Sequence, residues 1–195
     1  MWLPVGDILH PQFLKKNIQV LERDKDIVAS VGRLQYIDEN NNKIPESNPY
    51  EYKKYPMKKE FSKKIAFYLR TKNSRNMGAL CRTDALKKSI PKIIIPMEDR
   101  MVLLKLLKFG DINVIDEVLS YIRTGGLSTK TDLISRIKLF DDYKKKLIVF
   151  PFLPFSTWFI KNFGFKLFLK NINYFTYLNL TSIWYLFNHY FRKNN

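Results

Sequence analysis

The chain has 195 residues, 46% of them hydrophobic, and a formal net charge of +16 from 34 Lys and Arg against 18 Asp and Glu. Such an apolar fraction builds a core and excludes a disordered tail, and the length suits one domain, or one domain with an appendage. The basic balance favours polyanions: nucleic acid, an anionic membrane face or phosphorylated small molecules.

The single Cys81 excludes an internal disulfide and fits a reducing compartment. The residues after Met1 lack the basic start and apolar run of a signal peptide, so a cytoplasmic location is expected.

In chain order, a short apolar strand-like run, WLPV, ends in Gly6-Asp7. Phe13 to Arg23 predicts a helix with Phe13, Leu14, Ile18 and Leu21 on one face. Asp26 to Ile37 has the β-branched and aromatic content of a strand, residues 38–43 have the chemistry of a turn, and residues 45–56, with three prolines, read as a loop. Met57 to Lys72 predicts a basic amphipathic helix whose apolar side is Phe61, Ile65, Phe67, Tyr68 and Leu69. Met77 to Arg82 reads as a short strand, and Thr83 as the cap of a helix that Asp84 favours electrostatically. Pro96 starts a further helix, with Glu98-Asp99 in its first turn and Gly110 at its end. Residues 112–123 look extended, and Gly125-Gly126 breaks the chain before a helix from about Thr131. No internal repeat is present.

The tail has a different composition. Between Tyr143 and Phe191 lie 17 of the 29 Phe, Trp and Tyr residues. The stretch LIVFPFLPFSTWFI is 14 residues long and broken by Pro151 and Pro154, whereas a spanning helix needs about 20. Ile172 to Phe191 reaches 20 residues without a formal charge but carries three Asn, two Thr, a Ser and a His. The expectation is a set of helices lying in the membrane interface, with Lys161, Lys166, Lys170, Arg192 and Lys193 meeting anionic lipid at about 1 kcal/mol each. The alternative is a tail that packs on the domain or on a second subunit.

Three constellations carry candidate chemistry. Asp7 follows Gly6 at a strand end, where it would hold Mg²⁺ or Mn²⁺ on a diphosphate or, more commonly for such a residue, cap the following turn. Glu98-Asp99 at a helix start would supply a general base, or simply acids that a helix N-terminus favours. The run Tyr121 to Ser128, with Arg123, Gly125 and Gly126, would set an arginine and a flexible loop beside phosphates, or form a glycine hinge. Cys81, His10 and His189 lack partners at metal or triad spacing.

Over residues 2 to 135, the order of these pieces resembles the family-2 glycosyltransferases of the GT-A fold. WLPVGDILHPQFLKKNIQVLERDKDIVASVGRLQYIDENNNKI follows the course of that family's metal motif, helix and strand. Gly78 to Leu86 resembles its G-x-x-R-x-x-L motif with one residue more in each interval, Glu98 to Gly110 resembles its E-D-x-x-l-l-x-x-l-x-x-G motif at one residue longer, and Gly125 to Ser128 matches the GG-[IL]-S loop of some members. Val5-Gly6 stands where the family often has a further aspartate.

The resemblance implies an α/β fold. Residues 1–140 would be a partial GT-A (Rossmann-like) domain holding the metal motif and the acceptor side. Residues 141–195 would be a helical, aromatic-rich, basic tail at the membrane interface. It implies an inverting transferase that moves a sugar from a nucleotide-sugar donor to a glycan or lipid-linked acceptor. Asp99 would be the catalytic base with Glu98 its neighbour, Asp7 the ligand of Mg²⁺ or Mn²⁺, and Arg123, Gly125 and Gly126 the groups beside the phosphates. Gly78 and Arg82 would shape the acceptor side. In the family the metal motif lies mid-fold, so the chain reads as the second half of a transferase whose nucleotide-binding half is missing, peripheral at the inner membrane face. The rival reading is a non-catalytic membrane-associated module, or half of a split transferase that pairs with a separate donor-binding chain. Nucleic acid is not an expected partner, because the basic residues are spread out and no helix-turn-helix, zinc or RNA-binding signature occurs.

Overall fold

The computed structural model describes residues 6–45, 57–70, 78–93, 95–124, 150 and 152–192. Two compact units are formed, residues 1–91 with 99–130 and residues 92–98 with 131–195. The first is α/β, with a mixed open sheet.

The sheet is built on two long strands. β1 (Ile8–Leu9) is followed by α1 (Phe13–Arg23), β2 (Ile27–Ile37), β3 (Lys43–Ile44), α2 (Phe61–Arg70), β4 (Leu80–Cys81), α3 (Thr83–Ser89), α4 (Glu98–Leu106) and β5 (Asp111–Arg123). The order is β1-β5-β2-β3, with β4 also on β2. β2 and β5 run parallel, and the other pairs are antiparallel. A parallel pair needs a long crossover, here the stretch that carries α2, α3 and α4. β2 is buried from Ile27 through Gly32 without alternation, the pattern of a strand covered on both faces.

Two glycines permit the close approaches of this sheet. A Cβ on Gly32 would collide with the Leu119 side chain, and one on Gly110 with the Asp26 carbonyl, which accepts the Asp111 N–H at 2.7 Å. Next to Gly32 the register slips, since Gly32 faces Ile115 while Arg33 faces Val118. Asp116 and Glu117 thus leave the ladder as a bulge and are exposed. Arg33 pairs with Asp116 at 3.3 Å and Lys16 with Glu117.

The structure shifts several sequence expectations. The described strand follows Asp7 instead of preceding it, because Ile8 and Leu9 pair with Tyr121 and Ser120 of β5; residues 1–5 lie outside the described residues. The inward face of α1 is Phe13, Asn17 and Leu21, while Leu14 and Ile18 are 51% and 43% exposed. Asn17 is tolerated there by donating to the Phe13 carbonyl at 2.8 Å. α2 starts at Phe61, four residues later than expected, since Lys58 has φ +53° and its N–H donates to Asp111 Oδ2 at 2.7 Å. That φ is foreign to a right-handed helix. α4 starts at Glu98, not Pro96, because Met97 has φ +76°. Thr83 is the first residue of α3, Arg82 occupies the cap position, and no side chain caps the helix. Lys43, expected in the turn, begins β3. The loop expected at 45–56 lies almost wholly, and the helix from Thr131 wholly, outside the described residues.

The second unit contains α5 (Leu153–Phe163), α6 (Phe165–Lys170) and α7 (Ile172–Arg192). Gly164, with φ +86°, separates α5 from α6. Phe155, Phe159 and Phe175 are buried together, with ring centroids 5.8 Å (Phe155–Phe175) and 4.9 Å (Phe159–Phe175) apart. Such tilted pairs add to area burial by about 0.5–1.5 kcal/mol each. An aromatic-rich helical tail is therefore present.

Candidate functional site

Asp7 and Arg123 come from opposite ends of the first unit's sequence and meet where β1 pairs with β5. The Asp7 carboxylate accepts the Arg123 backbone N–H at 3.2 Å, and Arg123 Nε donates to the Gly6 carbonyl, 117 residues away, at 3.2 Å. Gly6 has φ +96°, a conformation that side-chain-bearing residues rarely adopt. The rest of the Arg123 fork reaches the turn after β2: Nη1 donates to the Asp38 and Glu39 carbonyls at 2.8 and 2.9 Å, and Nη2 to Asn41 Oδ1 at 2.7 Å. Most of the guanidinium's five donors are spent on protein, so its primary work is to hold the Gly6-Asp7 backbone against residues 38–41.

Asp38 organises that turn. Its Oδ1 accepts the N–H groups of Asn40 and Asn42, both at 2.8 Å, and its Oδ2 the Asn42 side-chain amide at 3.0 Å; Asn41 takes φ +67°, as Asn does more readily than most residues. The Asn42 side chain, these backbone N–H groups and nearby Arg123 hold the Asp38 carboxyl below its usual value. A lowered folded-state value means that the carboxylate contributes fully above the unfolded value, about 3.9, and that the contribution is lost as pH falls through the lower folded one. Acid unfolding of the Asp38→Ala variant should therefore show a smaller loss of stability on descending below pH about 4 than wild type, as read by denaturant midpoints across that range.

Glu98 and Asp99 stand elsewhere, both half-buried at the N-terminus of α4. Asp99 Oδ1 accepts the Arg100 N–H at 2.7 Å, which fixes the orientation of its carboxylate. Arg100 is 8% exposed, and its Nη1 donates to the carbonyls of Tyr68, at 3.2 Å, and Leu69. These carbonyls belong to the last turn of α2, so Arg100 satisfies groups that a helix end leaves orphaned. Sequence reasoning missed this role; the signal was an arginine set directly before the apolar run MVLL of α4.

Arg82 does the same for α1. Its Nε donates to the Ile27 carbonyl at 2.9 Å, and Nη2 to those of Leu21 and, at 3.3 Å, Asp24. It closes the α1–β2 connection. Gly78 lies two residues before β4. Gly125 and Gly126 lie outside the described residues. His10 Nδ1 accepts the Gln12 N–H at 3.2 Å, a local turn contact. Burial pushes the Cys81 thiol up, and it donates to the Ala79 carbonyl at 3.4 Å; a thiol so held is a poor nucleophile at neutral pH.

Among the described residues, no three His, Cys, Asp or Glu side chains gather as a metal cage. Magnesium does not require one: it is commonly held by one or two carboxylates, water and substrate phosphates. Asp7 is a single half-buried carboxylate at the Arg123 corner. No family model, curated protein or solved structure matches the chain.

Proposed function

We propose that the chain forms the metal-motif and acceptor side of an inverting GT-A glycosyltransferase. Such an enzyme moves a sugar from a nucleotide-sugar donor to a glycan or lipid-linked acceptor. The observation that supports this reading is the meeting of Asp7 with Arg123. The resemblance implied a metal ligand at Asp7, and its carboxylate accepts the backbone N–H of Arg123, 116 residues away. The β1–β5 pairing brings the two residues together.

In the proposed reaction the acceptor hydroxyl oxygen attacks the anomeric carbon from the face opposite the leaving group. The new glycosidic C–O bond forms, the bond from the anomeric carbon to the diphosphate oxygen breaks, and the hydroxyl proton passes to the Asp99 carboxylate. The nucleoside diphosphate departs with the bonding electron pair, and the anomeric configuration inverts. Asp99 would be oriented for this by the Arg100 N–H. Arg123, its fork mostly engaged by carbonyls, would act as a positioning residue for Asp7. A bound Mg²⁺ or Mn²⁺ would supply charge neutralisation at the diphosphate.

Calorimetric titration of the native protein with nucleoside diphosphates and Mn²⁺ tests the assignment of Asp7. Asp7→Asn keeps an acceptor for the Arg123 N–H but removes the charge. Affinity should fall by roughly ten- to a hundredfold, as expected when one charge-assisted contact of about 1.5–3 kcal/mol is removed. Equal affinity in the two proteins would remove Asp7 from the site.

A further inference from the structure

α7 buries Phe175, at 2% exposure, yet also presents a stripe of large apolar side chains to solvent. Tyr177, Leu180, Trp184 and Phe187 are 69%, 59%, 70% and 58% exposed, and spacings of three, four and three residues set them on one stripe. On the covered side Ser182 is 4% exposed and donates to the Leu178 carbonyl at 2.6 Å. α6 adds an apolar pair, Phe165 and Leu169, at 59% and 50% exposure. Its exposed lysines, Lys166 and Lys170, lie on the adjoining side of that short helix, where long stems cover apolar surface while their amines stay in water. An exposed array of large apolar side chains calls for an occupant.

Charge selects which. From Tyr143 to Asn195 the chain has eight Lys and Arg and no Asp or Glu. Pairing this face with a second copy would oppose two sets of like charges. An anionic bilayer surface answers both features, with acyl chains for the stripe and headgroups for the cations. α7 has 21 residues, about 31 Å of helix, yet among the described residues no helix is long and apolar enough to cross a membrane. Tyr and Trp favour the headgroup level.

We infer that the Tyr177–Leu180–Trp184–Phe187 stripe of α7 seats in the interface of an anionic lipid bilayer, with Lys161, Lys166 and Lys170 on the headgroups. This holds whether or not the chain transfers sugar. Flotation of the full chain with phosphatidylcholine vesicles, with and without phosphatidylglycerol, provides the test. The wild type should float with the anionic vesicles. Lys161→Gln/Lys166→Gln/Lys170→Gln should lower partitioning by roughly a hundredfold, about a factor of five for each cation. Leu180→Ser/Trp184→Ser/Phe187→Ser should lower it at least about tenfold, with an unchanged circular dichroism spectrum because these sites are more than half exposed. Undiminished flotation of the serine variant would overturn the inference. So would a wild type that ignores vesicles and instead self-associates, or is retained by an oligonucleotide, through the same residues.

Discussion

Asp99→Asn is expected to lower sugar transfer by about 10²–10⁴-fold, the range that a positioned general base contributes, with donor binding retained. Asparagine preserves the size of the side chain and an oxygen to accept the Arg100 N–H, so the helix start survives while the proton acceptor is lost. Glu98→Gln, one residue earlier in the same turn, should cost far less, because only one carboxylate can receive the hydroxyl proton. Transfer rate and donor affinity measured on the same preparation separate the two effects. A loss of donor affinity matching the loss of rate would make Asp99 a binding residue and not a base.

The largest expected effect on stability is at Asp111. Its carboxylate joins two distant pieces of chain, accepting the Lys58 N–H at 2.7 Å and pairing with Lys64 Nζ at 2.5 Å. The side chains of Lys64 and Asp111 are only 14% and 9% exposed. Truncating one member of such a pair leaves the other charge uncompensated where water has little access, which typically costs about 3–5 kcal/mol. Asp111→Ala should lose about that much in denaturant unfolding. Adding Lys64→Met to Asp111→Ala should recover part of the loss, since no orphaned ammonium then remains. A double variant as unstable as the sum of both singles would show that the two groups do not act as a pair.

The main architecture was legible in the sequence wherever one local signal dominated. The β-branched and aromatic content of Asp26 to Ile37 marked the strand that the structure shows as β2. The aromatic enrichment after Tyr143 marked the helical tail. Element boundaries failed where a distant group decided them. The start of α2 is set by Asp111 through the Lys58 N–H, 53 residues away, and no local propensity carries that information. The inward face of α1 was misjudged because Asn17 counts as polar in a sequence, yet its side-chain NH2 donates to the helix's own Phe13 carbonyl.

Site residues divided along the same line. Asp7 and Arg123 were linked in the sequence only through a resemblance of motif order; their contact is a consequence of β1–β5 pairing. The roles of Arg82, Arg100 and Arg123 as clamps on backbone carbonyls were hidden, since an arginine's partners are invisible when they are main-chain groups tens of residues away. The turn that holds Arg123 was nearer to hand. Asp38 followed by Asn40, Asn41 and Asn42 is the chemistry of a side-chain-capped turn with one left-handed residue.

Incorporation of labelled sugar by the full-length native protein tests the central claim most directly. A panel of nucleotide-sugars would serve as donors, with membranes from the same cells as acceptor. The account predicts that one donor gives a glycan or lipid-linked product of inverted anomeric configuration, with matching release of nucleoside diphosphate. Incorporation no greater than that of heat-denatured protein with every donor, from a preparation that remains folded, would contradict it.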